Sequence, residues 1–179
     1  LPINIVVNKI ELSDNTEQLS LDFSNYEKLG YQVHFLSVKN RTNLEAFKSQ
    51  LIDKKHIFLG QSGVGKSSLI NSLIPDLELR VSEISSKSKL GKHTTTNTTI
   101  YHIPTGGELI DSPGIREFQL DELTEKQIVN GFREFKSLIG HCRFRNCQHI
   151  NEPDCAVKSA VELKEIHPAR YESYLNLLP

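Results

Sequence analysis

The sequence predicts a three-layer α/β sandwich followed by a small, mainly helical unit. Short apolar runs rich in β-branched residues alternate with segments whose apolar residues recur every three or four positions. This pattern is typical of strands and helices that alternate around a largely parallel sheet. After Pro113 the alternation stops, and all three cysteines fall in one short stretch. We therefore expect two domains, residues 1–119 and 120–179.

The composition is that of a globular protein. Of the 179 residues, 37% are hydrophobic and 24% are charged, which excludes a disordered, collagen-like or disulfide-scaffold chain. The net charge of −1 excludes a uniformly basic nucleic-acid coat, but it leaves room for a local basic patch.

The chain shows no sign of a membrane span or a signal peptide. No apolar run approaches the ~20 residues that cross a bilayer, and the first residues lack a basic start. We expect a cytoplasmic protein with no membrane association. Because Met is absent and Leu1 adjoins an apolar run, we also expect a fragment of a longer protein.

The first domain alternates strands with helices. The continuous run INIVV predicts a buried strand of a parallel sheet, and the polar stretch 76–92 predicts a loop. In chain order, the other predicted elements are a helix with Leu19, Phe23 and Tyr26 ended by Gly30, the strand YQVHFL, a helix with Leu44, Phe47 and Leu51, the strand HIFL, the helix SSLINSLI ended by Pro75, and the strands TTTNTTIYHI and ELID joined by a turn at 104–107.

The second domain opens with a helix. TEKQ at Thr124 to Gln127 matches a capping box. The helix it predicts carries Ile128, Phe132, Phe135 and Ile139 on one face, and two short helical segments close the chain.

The loop after the strand HIFL matches the phosphate-binding pattern GxxxxGK[ST] and directly precedes an apolar helix. Its glycines let backbone N–H groups point at phosphates, the helix dipole favours the negative charge, and Lys66 neutralises the β and γ oxygens. The alternative is an ordinary glycine-rich turn. The predicted nucleotide-binding residues here are Gly60, Gln61, Ser62, Gly63, Val64, Gly65, Lys66, Ser67 and Ser68, with Ser67 as the Mg²⁺ ligand.

Asp111 to Gly114 reads DSPG and fits the DxxG of GTP-binding proteins. In that motif the Asp reaches Mg²⁺ through water and the Gly amide senses the γ-phosphate. Without the phosphate loop, a plain turn after a strand would explain DSPG equally well.

Two further strand ends resemble the parts of a site that reads guanine. Asn8, Lys9, Ile10 and Glu11 are similar to NKxD, whose acid accepts two hydrogen bonds from guanine. Glu11 stands in place of Asp, so one extra methylene must be accommodated. Ser37 begins the companion loop. The alternative for NKIE is a solvated strand-to-loop turn.

The motif order is the reverse of that in ordinary GTPases, because Asn8 precedes Gly60. A circular permutation can preserve the same site, since the termini of a domain often lie close together. The chain resembles the circularly permuted, ribosome small-subunit-dependent GTPases called RsgA or YjeQ. The resemblance spans the chain and rests on NKIE, GQSGVGKSS, GKHTTT, DSPGIREF, the cysteine segment with EPDCAVKSAVE, and RYESYL.

The resemblance implies a GTPase domain followed by a zinc domain, acting in late maturation of the small (30S) ribosomal subunit. Members also carry an N-terminal OB-fold domain and the opening of the GTPase domain, and we expect neither within these 179 residues. The implied ligands are GTP or GDP with Mg²⁺, the implied partner is the subunit and its rRNA, and we expect a monomer.

Hydrolysis requires a group that positions the attacking water. Many GTPases use a Gln directly after DxxG, but Ile115 occupies this position and cannot form hydrogen bonds. His93, in GKHTTT, is the candidate replacement, although it also fits an ordinary loop histidine. Thr94 or Thr95 is the candidate switch residue that grips Mg²⁺, and TTTNTT also fits a plain β-strand. We expect slow intrinsic turnover that the subunit stimulates.

The cysteine segment has the composition of a structural metal site. Cys142, Cys147, His149 and Cys155 supply four ligands of the type that Zn²⁺ prefers and leave no position for a catalytic water. The spacing matches the resembled family. We expect one structural Zn²⁺ per chain, the alternative being free thiols around a core histidine.

Basic residues and an aromatic surround these cysteines and suit contact with RNA. They are Arg133, Lys136, His141, Arg143, Phe144 and Arg145, and Arg170, Tyr171 and Tyr174 could join them. The alternatives are a solvated charged face and tyrosines that pack a helix. The leading function is a GTPase that assists assembly of the small subunit. The others are a zinc-stabilised rRNA-binding module whose nucleotide switch has little hydrolysis, and an ATP-using P-loop enzyme.

Overall fold

The computed structural model describes residues 1–61, 63–75, 77, 99–111 and 123–178. The chain divides into two compact units, Leu1–Phe118 and Gln119–Pro179. The predicted boundary between residues 119 and 120 falls outside the described residues and stays a prediction. No helix within the described ranges is long and apolar enough to cross a membrane.

The first unit has a mixed α/β architecture, as the sequence predicts. Its described strands form two sheets: β1 pairs in parallel with β2, while β5 lies between β3, to which it is parallel, and the antiparallel β4. The elements are β1 (Asn4–Val7), α1 (Thr16–Lys28), β2 (Gln32–Phe35), α2 (Leu44–Ser49), β3 (Lys55–Ile57), α3 (Lys66–Leu73), β4 (Thr99–His102) and β5 (Glu108–Asp111).

Local sequence signals account for the ends of the helices. The side chain of Asn15 accepts a hydrogen bond from the backbone N–H of Gln18 at 3.0 Å and caps α1. After α1, Gly30 adopts a positive φ of 79°, a conformation that suits glycine and turns the chain toward β2. The predicted helix stop and the predicted parallel pairing are therefore both confirmed.

Strand β1 is less buried than its sequence suggests. Ile5 to Val7 are half-buried, and Ile3 lies before the strand with 56% of its surface exposed. An apolar run predicts burial only where other layers cover both faces of the sheet. The described part of the chain provides one paired strand, β2, for β1.

The hydrophobic core of the first unit joins both sheets to the helices that follow β2 and β3. Leu36, at the end of β2, is fully buried, and Leu109 in β5 is 1% exposed. The core also holds Leu44, Phe47, Leu51, Leu69, Ile70, Leu73, Ile74 and Ile103. This packing fixes the start of α3, and with it the loop before α3, relative to the sheet.

The second unit is helical and contains α4 (Glu125–Gly131), α5 (Ala156–Glu162) and α6 (Pro168–Leu177). The predicted capping box is present, because Thr124 and Gln127 bond each other's backbone N–H groups. The helix is shorter than predicted: it ends at Gly131, and a 3-10 turn, Arg133–Phe135, follows.

The early end of α4 has a packing cause. Phe132 leaves the helical conformation with a ψ of 106°, and its ring stacks on that of Phe135 with 5.1 Å between the centroids. Gly131 makes this exit easier, because glycine is a poor helix former. Ile139 consequently does not share their buried face and is 40% exposed. The core of this unit consists of Ile128, Phe132, Phe135, Cys155, Val157, Ala160, Ile166 and Tyr174.

Candidate nucleotide site and metal centre

The predicted phosphate loop connects β3 to α3. Gly63 and Gly65 have φ values of 84° and 96°, which glycine adopts without strain, and α3 begins immediately afterwards at Lys66. The ammonium group of Lys66 donates a hydrogen bond to the carbonyl of Gly60 and so reaches back across the loop. Ser67 is buried, and Ser62 lies outside the described residues. A helix start with this loop can hold an anion.

Asn8 joins the phosphate loop to the predicted companion loop. Its Nδ2 donates to the carbonyl of Val64 at 3.2 Å, and its Oδ1 accepts from the N–H of Val38 at 3.3 Å. Lys9 donates from Nζ to the carbonyl of Gly63 at 2.6 Å. The three segments predicted to form one site are therefore in contact, despite their permuted order in the chain.

Glu11 and Ser37 form an acidic acceptor beside this junction. Ser37 is fully buried, and its Oγ accepts from the N–H of Asn40 at 3.0 Å. A hydrogen bond between the side chains of Ser37 and Glu11 lowers the pKa of Glu11, and Lys39 and Lys9 act in the same direction. Among the described residues, the buried Oε2 of Glu11 has no hydrogen-bond partner. A carboxylate with a free oxygen suits the paired N–H donors of guanine.

The remaining predicted site residues are only partly described. Asp111 is the last residue of β5 and pairs with Thr99, at the strand end where β3 leads into the phosphate loop. Ser68 lies in α3 and is half-buried. Outside the described residues lie His93, Thr94, Thr95, Gly114 and Ile115.

The four predicted zinc ligands converge in the second unit. The ligand atoms of Cys142, Cys147, His149 and Cys155 all lie within 4.8 Å of one another. The Nδ1 of His149 is 3.5 Å from the sulfur of Cys142 and 3.3 Å from that of Cys155. The two sulfurs are 3.9 Å apart.

These separations fit tetrahedral Zn²⁺. Zn–S bonds of about 2.3 Å place tetrahedral sulfurs about 3.8 Å apart. Burial lowers the pKa of His149 and favours the neutral imidazole that a metal requires. Burial and the thiols of Cys155 and Cys142 raise the pKa of Cys147 to about 12. A bound metal would reverse that effect, because coordination deprotonates a thiol.

Glu152, which the sequence did not single out, organises the loop between His149 and Cys155. Its carboxylate accepts from the N–H groups of Gln148 at 2.7 Å, Ile150 at 2.9 Å and Asn151 at 3.1 Å. These backbone hydrogen bonds lower the pKa of Glu152 to about 2. A lone Glu in a loop carries no signal that would have predicted this role.

We expect Glu152→Gln to lower the stability of the second unit at pH 7 by about 1–2 kcal/mol. This is less than the full pKa shift implies, because the carboxylate stays partly exposed. The pKa of Glu152 is lowered from its ordinary value of 4.5 to about 2 in the folded protein, so the ionised carboxylate contributes its full stability above pH 4.5. That contribution disappears as the pH falls toward about 2. Thermal unfolding of the zinc-loaded protein between pH 7 and pH 3 measures the effect.

The matched control for this prediction is Asp154→Asn. Asp154 lies in the same loop but forms an exposed ion pair with Arg143 at 3.0 Å, which contributes little to stability. Both variants experience the same acid-induced loss of metal, so their difference isolates Glu152. Equal melting temperatures for the two variants at pH 7 would contradict the assigned role.

The predicted basic surface is present only in part. Arg143, Phe144 and Arg145 are exposed between the metal ligands, as are Lys136 and His141 before them. Arg133 is half-buried.

The residues of α6 do not join this surface. Arg170 forms a half-buried ion pair with Glu134 at 2.7 Å and lies over the ring of Phe132. Tyr174 is fully buried, and Tyr171 is half-buried. Packing of α6 therefore accounts for the tyrosines, as the alternative interpretation of the sequence held.

Comparison with known proteins identifies the family. The family model described as RsgA GTPase matches residues 1–121. A relative from Mannheimia succiniciproducens, named small ribosomal subunit biogenesis GTPase RsgA, is 47% identical over 184 residues, covering 99% of this chain and 51% of its own. The relative of the same name from Chromohalobacter salexigens is also 47% identical, with 97% and 52% covered. The chain spans about half the length of these curated relatives.

Two solved structures share the fold. YjeQ from Thermotoga maritima aligns with a TM-score of 0.78 and 31% identity over 99% of this chain and 59% of its own. YloQ, described as a circularly permuted GTPase, aligns with a TM-score of 0.73 and 29% identity over 97% and 54%. The predicted α/β fold with permuted motif order is confirmed. Its sequence, its fold and the contacts between its permuted motifs agree, and this chain belongs to the RsgA GTPase family.

Proposed function

We propose that this chain is the nucleotide-hydrolysing and zinc-binding part of a GTPase that assists late maturation of the small (30S) ribosomal subunit. The observation that carries the proposal is the contact of Asn8 with both Val64 and Val38, which joins the phosphate loop to the base-reading segments. The names of the relatives support the ribosomal partner. We infer that the protein acts in the cytoplasm as a monomer.

The phosphate end of the site comprises Gly60 to Ser68. Backbone N–H groups of the loop bind the phosphates, and Lys66 neutralises the β and γ oxygens. When Mg²⁺ is present, the hydroxyl of Ser67 and, through water, the carboxylate of Asp111 would hold it. When bound, Mg²⁺ offsets the charge that develops on the transferred phosphoryl group. Gly114 senses the γ-phosphate, Thr94 or Thr95 grips the metal, and His93 orients the water in place of a Gln.

The base end of the site comprises Asn8, Lys9, Ile10, Glu11 and Ser37. Glu11 accepts two hydrogen bonds from the N1 and N2 edge of guanine, and adenine cannot provide this pair of donors. The hydrogen bond between the side chains of Ser37 and Glu11, which lowers the pKa of Glu11, supports an ionised carboxylate at this position. This arrangement favours GTP over ATP and argues against an ATP-using enzyme.

The cysteine segment of the second unit has two roles in this proposal: it binds a structural metal, and it contacts RNA. Cys142, Cys147, His149 and Cys155 hold one Zn²⁺, whose role is to fold the loops that carry Arg143, Phe144 and Arg145. Exposed arginines beside an aromatic ring suit phosphate contact and base stacking in rRNA. The guanidinium of Arg143 lies 5.5 Å from the ring centroid of Phe144.

A second candidate is favoured by Ile115, which cannot position water. In this alternative, the protein is a zinc-stabilised rRNA-binding module in which the nucleotide acts as a switch with little intrinsic hydrolysis. The two functions differ in whether contact with the subunit raises turnover.

The deciding experiment is steady-state hydrolysis of GTP with and without isolated small subunits. We expect low basal turnover that rises only with small subunits, little turnover of ATP, and no stimulation by large subunits. Lys66→Ala is the control for contaminating activity and should lower hydrolysis by at least about 100-fold. Equal rates in all conditions, or a preference for ATP, would contradict the proposal.

A further inference from the structure

Two tyrosines of α6 contact the backbone of the zinc-binding loop. The hydroxyl of Tyr171 donates to the carbonyl of His149 at 2.6 Å. The hydroxyl of Tyr174 donates to the carbonyl of Gln148, also at 2.6 Å. The two tyrosines are three residues apart on one face of the helix and bind two consecutive carbonyls.

The backbone that they hold is unusual. His149 has a positive φ of 60°, which is uncommon for a residue with a side chain, and it is only 4% exposed. Its carbonyl and that of Gln148 belong to a loop without regular secondary structure, and among the described residues neither accepts a hydrogen bond from a backbone N–H. The tyrosines supply hydrogen bonds to both carbonyls, and the carboxylate of Glu152 accepts hydrogen bonds from the N–H groups of Gln148 and Ile150 in the same loop.

Helix α6, which carries the two tyrosines, packs against the core of the second unit. Tyr174 is fully buried, and its ring packs edge-on against Phe132 and Phe135 at 5.4 and 5.1 Å. The ring of Phe135 in turn packs edge-on against the imidazole of His149 at 6.1 Å. The Arg170–Glu134 ion pair secures the same helix. Two contacts therefore converge on His149: α6 holds its backbone carbonyl through Tyr171, and the 3-10 turn packs against its ring through Phe135.

We infer that Tyr171 and Tyr174 are positioning residues for the metal centre, which fix the backbone of His149 so that its Nδ1 faces the three cysteine sulfurs. The inference rests on the proposed zinc site and goes beyond it, because it makes retention of the metal depend on helix α6. Partners that orient metal ligands commonly change metal affinity 10- to 100-fold when they are removed. Tyr171 bonds to the ligand residue itself, so its hydroxyl carries the greater part of the effect.

The test uses Tyr171→Phe, Tyr174→Phe and the double variant, which remove the hydroxyls and keep the rings. Ser173→Ala is the matched control, because the Ser173 hydroxyl donates within α6, to the carbonyl of Ala169. The measurements are bound zinc per chain, the rate of zinc transfer to a chromogenic chelator under native conditions, and the visible absorption of the Co²⁺-substituted protein.

We expect one zinc per wild-type chain, about tenfold faster release from Tyr171→Phe, still faster release from the double variant, and an altered Co²⁺ spectrum in both. Ser173→Ala should match the wild type. Stoichiometric zinc with release rates and Co²⁺ spectra that match the control would overturn the positioning role, even if the melting temperatures fell. A wild-type chain that binds no zinc would overturn the metal centre itself, and the positioning role with it.

Discussion

Replacing Cys155 with Ser should release the metal and unfold the second unit. The sulfur of Cys155 lies 3.3 Å from the Nδ1 of His149 and 3.9 Å from the sulfur of Cys142. Structural Zn²⁺ contributes on the order of 10 kcal/mol to the folding of small metal-binding units, which is more than a core of this size supplies. We expect loss of bound zinc, measured by elemental analysis, together with loss of the α5 and α6 helical signals in NMR spectra.

The choice of serine separates the metal from local helix effects. Cys155 is the N-cap residue of α5, and no side-chain hydrogen bond from it caps the helix. Serine is a better N-cap than cysteine, so the substitution should not weaken α5 by itself. Removing zinc from the wild type with a chelator should have the same result, and adding zinc back should reverse it. Retention of both helical signals without metal would contradict a structural role for zinc.

Replacing Gly65 with Ala should reduce nucleotide affinity by about 100-fold. At a φ of 96° the new side chain strains the backbone, and its Cβ would clash with the Nδ2 of Asn8. To relieve this clash, Asn8 must move and lose its hydrogen bonds to Val64 and Val38. Backbone strain of at least about 1 kcal/mol and hydrogen bonds of about 1 kcal/mol each oppose the return of the loop to its binding geometry, and about 2.7 kcal/mol corresponds to a 100-fold loss of affinity. Titration with a fluorescent GDP analogue measures it.

Gly63→Ala is the control for this prediction, because Gly63 has a similar φ of 84° but, in the part of the chain that the structure describes, no atom within 4 Å of an added Cβ. It should show the cost of strain alone and bind the nucleotide more tightly than Gly65→Ala. A double-mutant cycle with Asn8→Ala identifies the partner, since the clash cannot occur when Asn8 is absent. If Gly65→Ala had the same effect in both backgrounds, Asn8 would not be what joins the two halves of the site.

Features set by a local pattern were predictable from the sequence. The phosphate loop, the Thr124 capping box and the cysteine cluster depend on residue types at fixed spacings, and the structure reproduces each arrangement. Features that depend on tertiary packing were not predictable. Helix α4 ends at Gly131 because Phe132 turns into the core, and Ile139 is then exposed although it fits the helical period.

The hydrogen bonds around the candidate metal centre could not be predicted from the sequence either. Glu152 binds three backbone N–H groups, and Tyr171 binds a backbone carbonyl. Because nearly every residue type has these backbone groups, the sequence does not indicate which of them a side chain will bind. For Tyr174, the sequence indicated helix packing but not its hydrogen bond to the carbonyl of Gln148. The four candidate ligands were predictable, whereas the residues that contact the backbone of their loop required coordinates.

The contact of Asn8 with Val64 also has a consequence for synthesis on the ribosome. Chains emerge from the N-terminus, so the residues of β1 and β2 and Val38, the partner of Asn8, are synthesised before the phosphate loop. A paired two-stranded sheet is marginally stable alone, and a nucleotide cannot reinforce it until Lys66 has emerged. The segments predicted to read the base are therefore synthesised before the segment predicted to bind the phosphates, the reverse of the order in GTPases whose phosphate loop comes first.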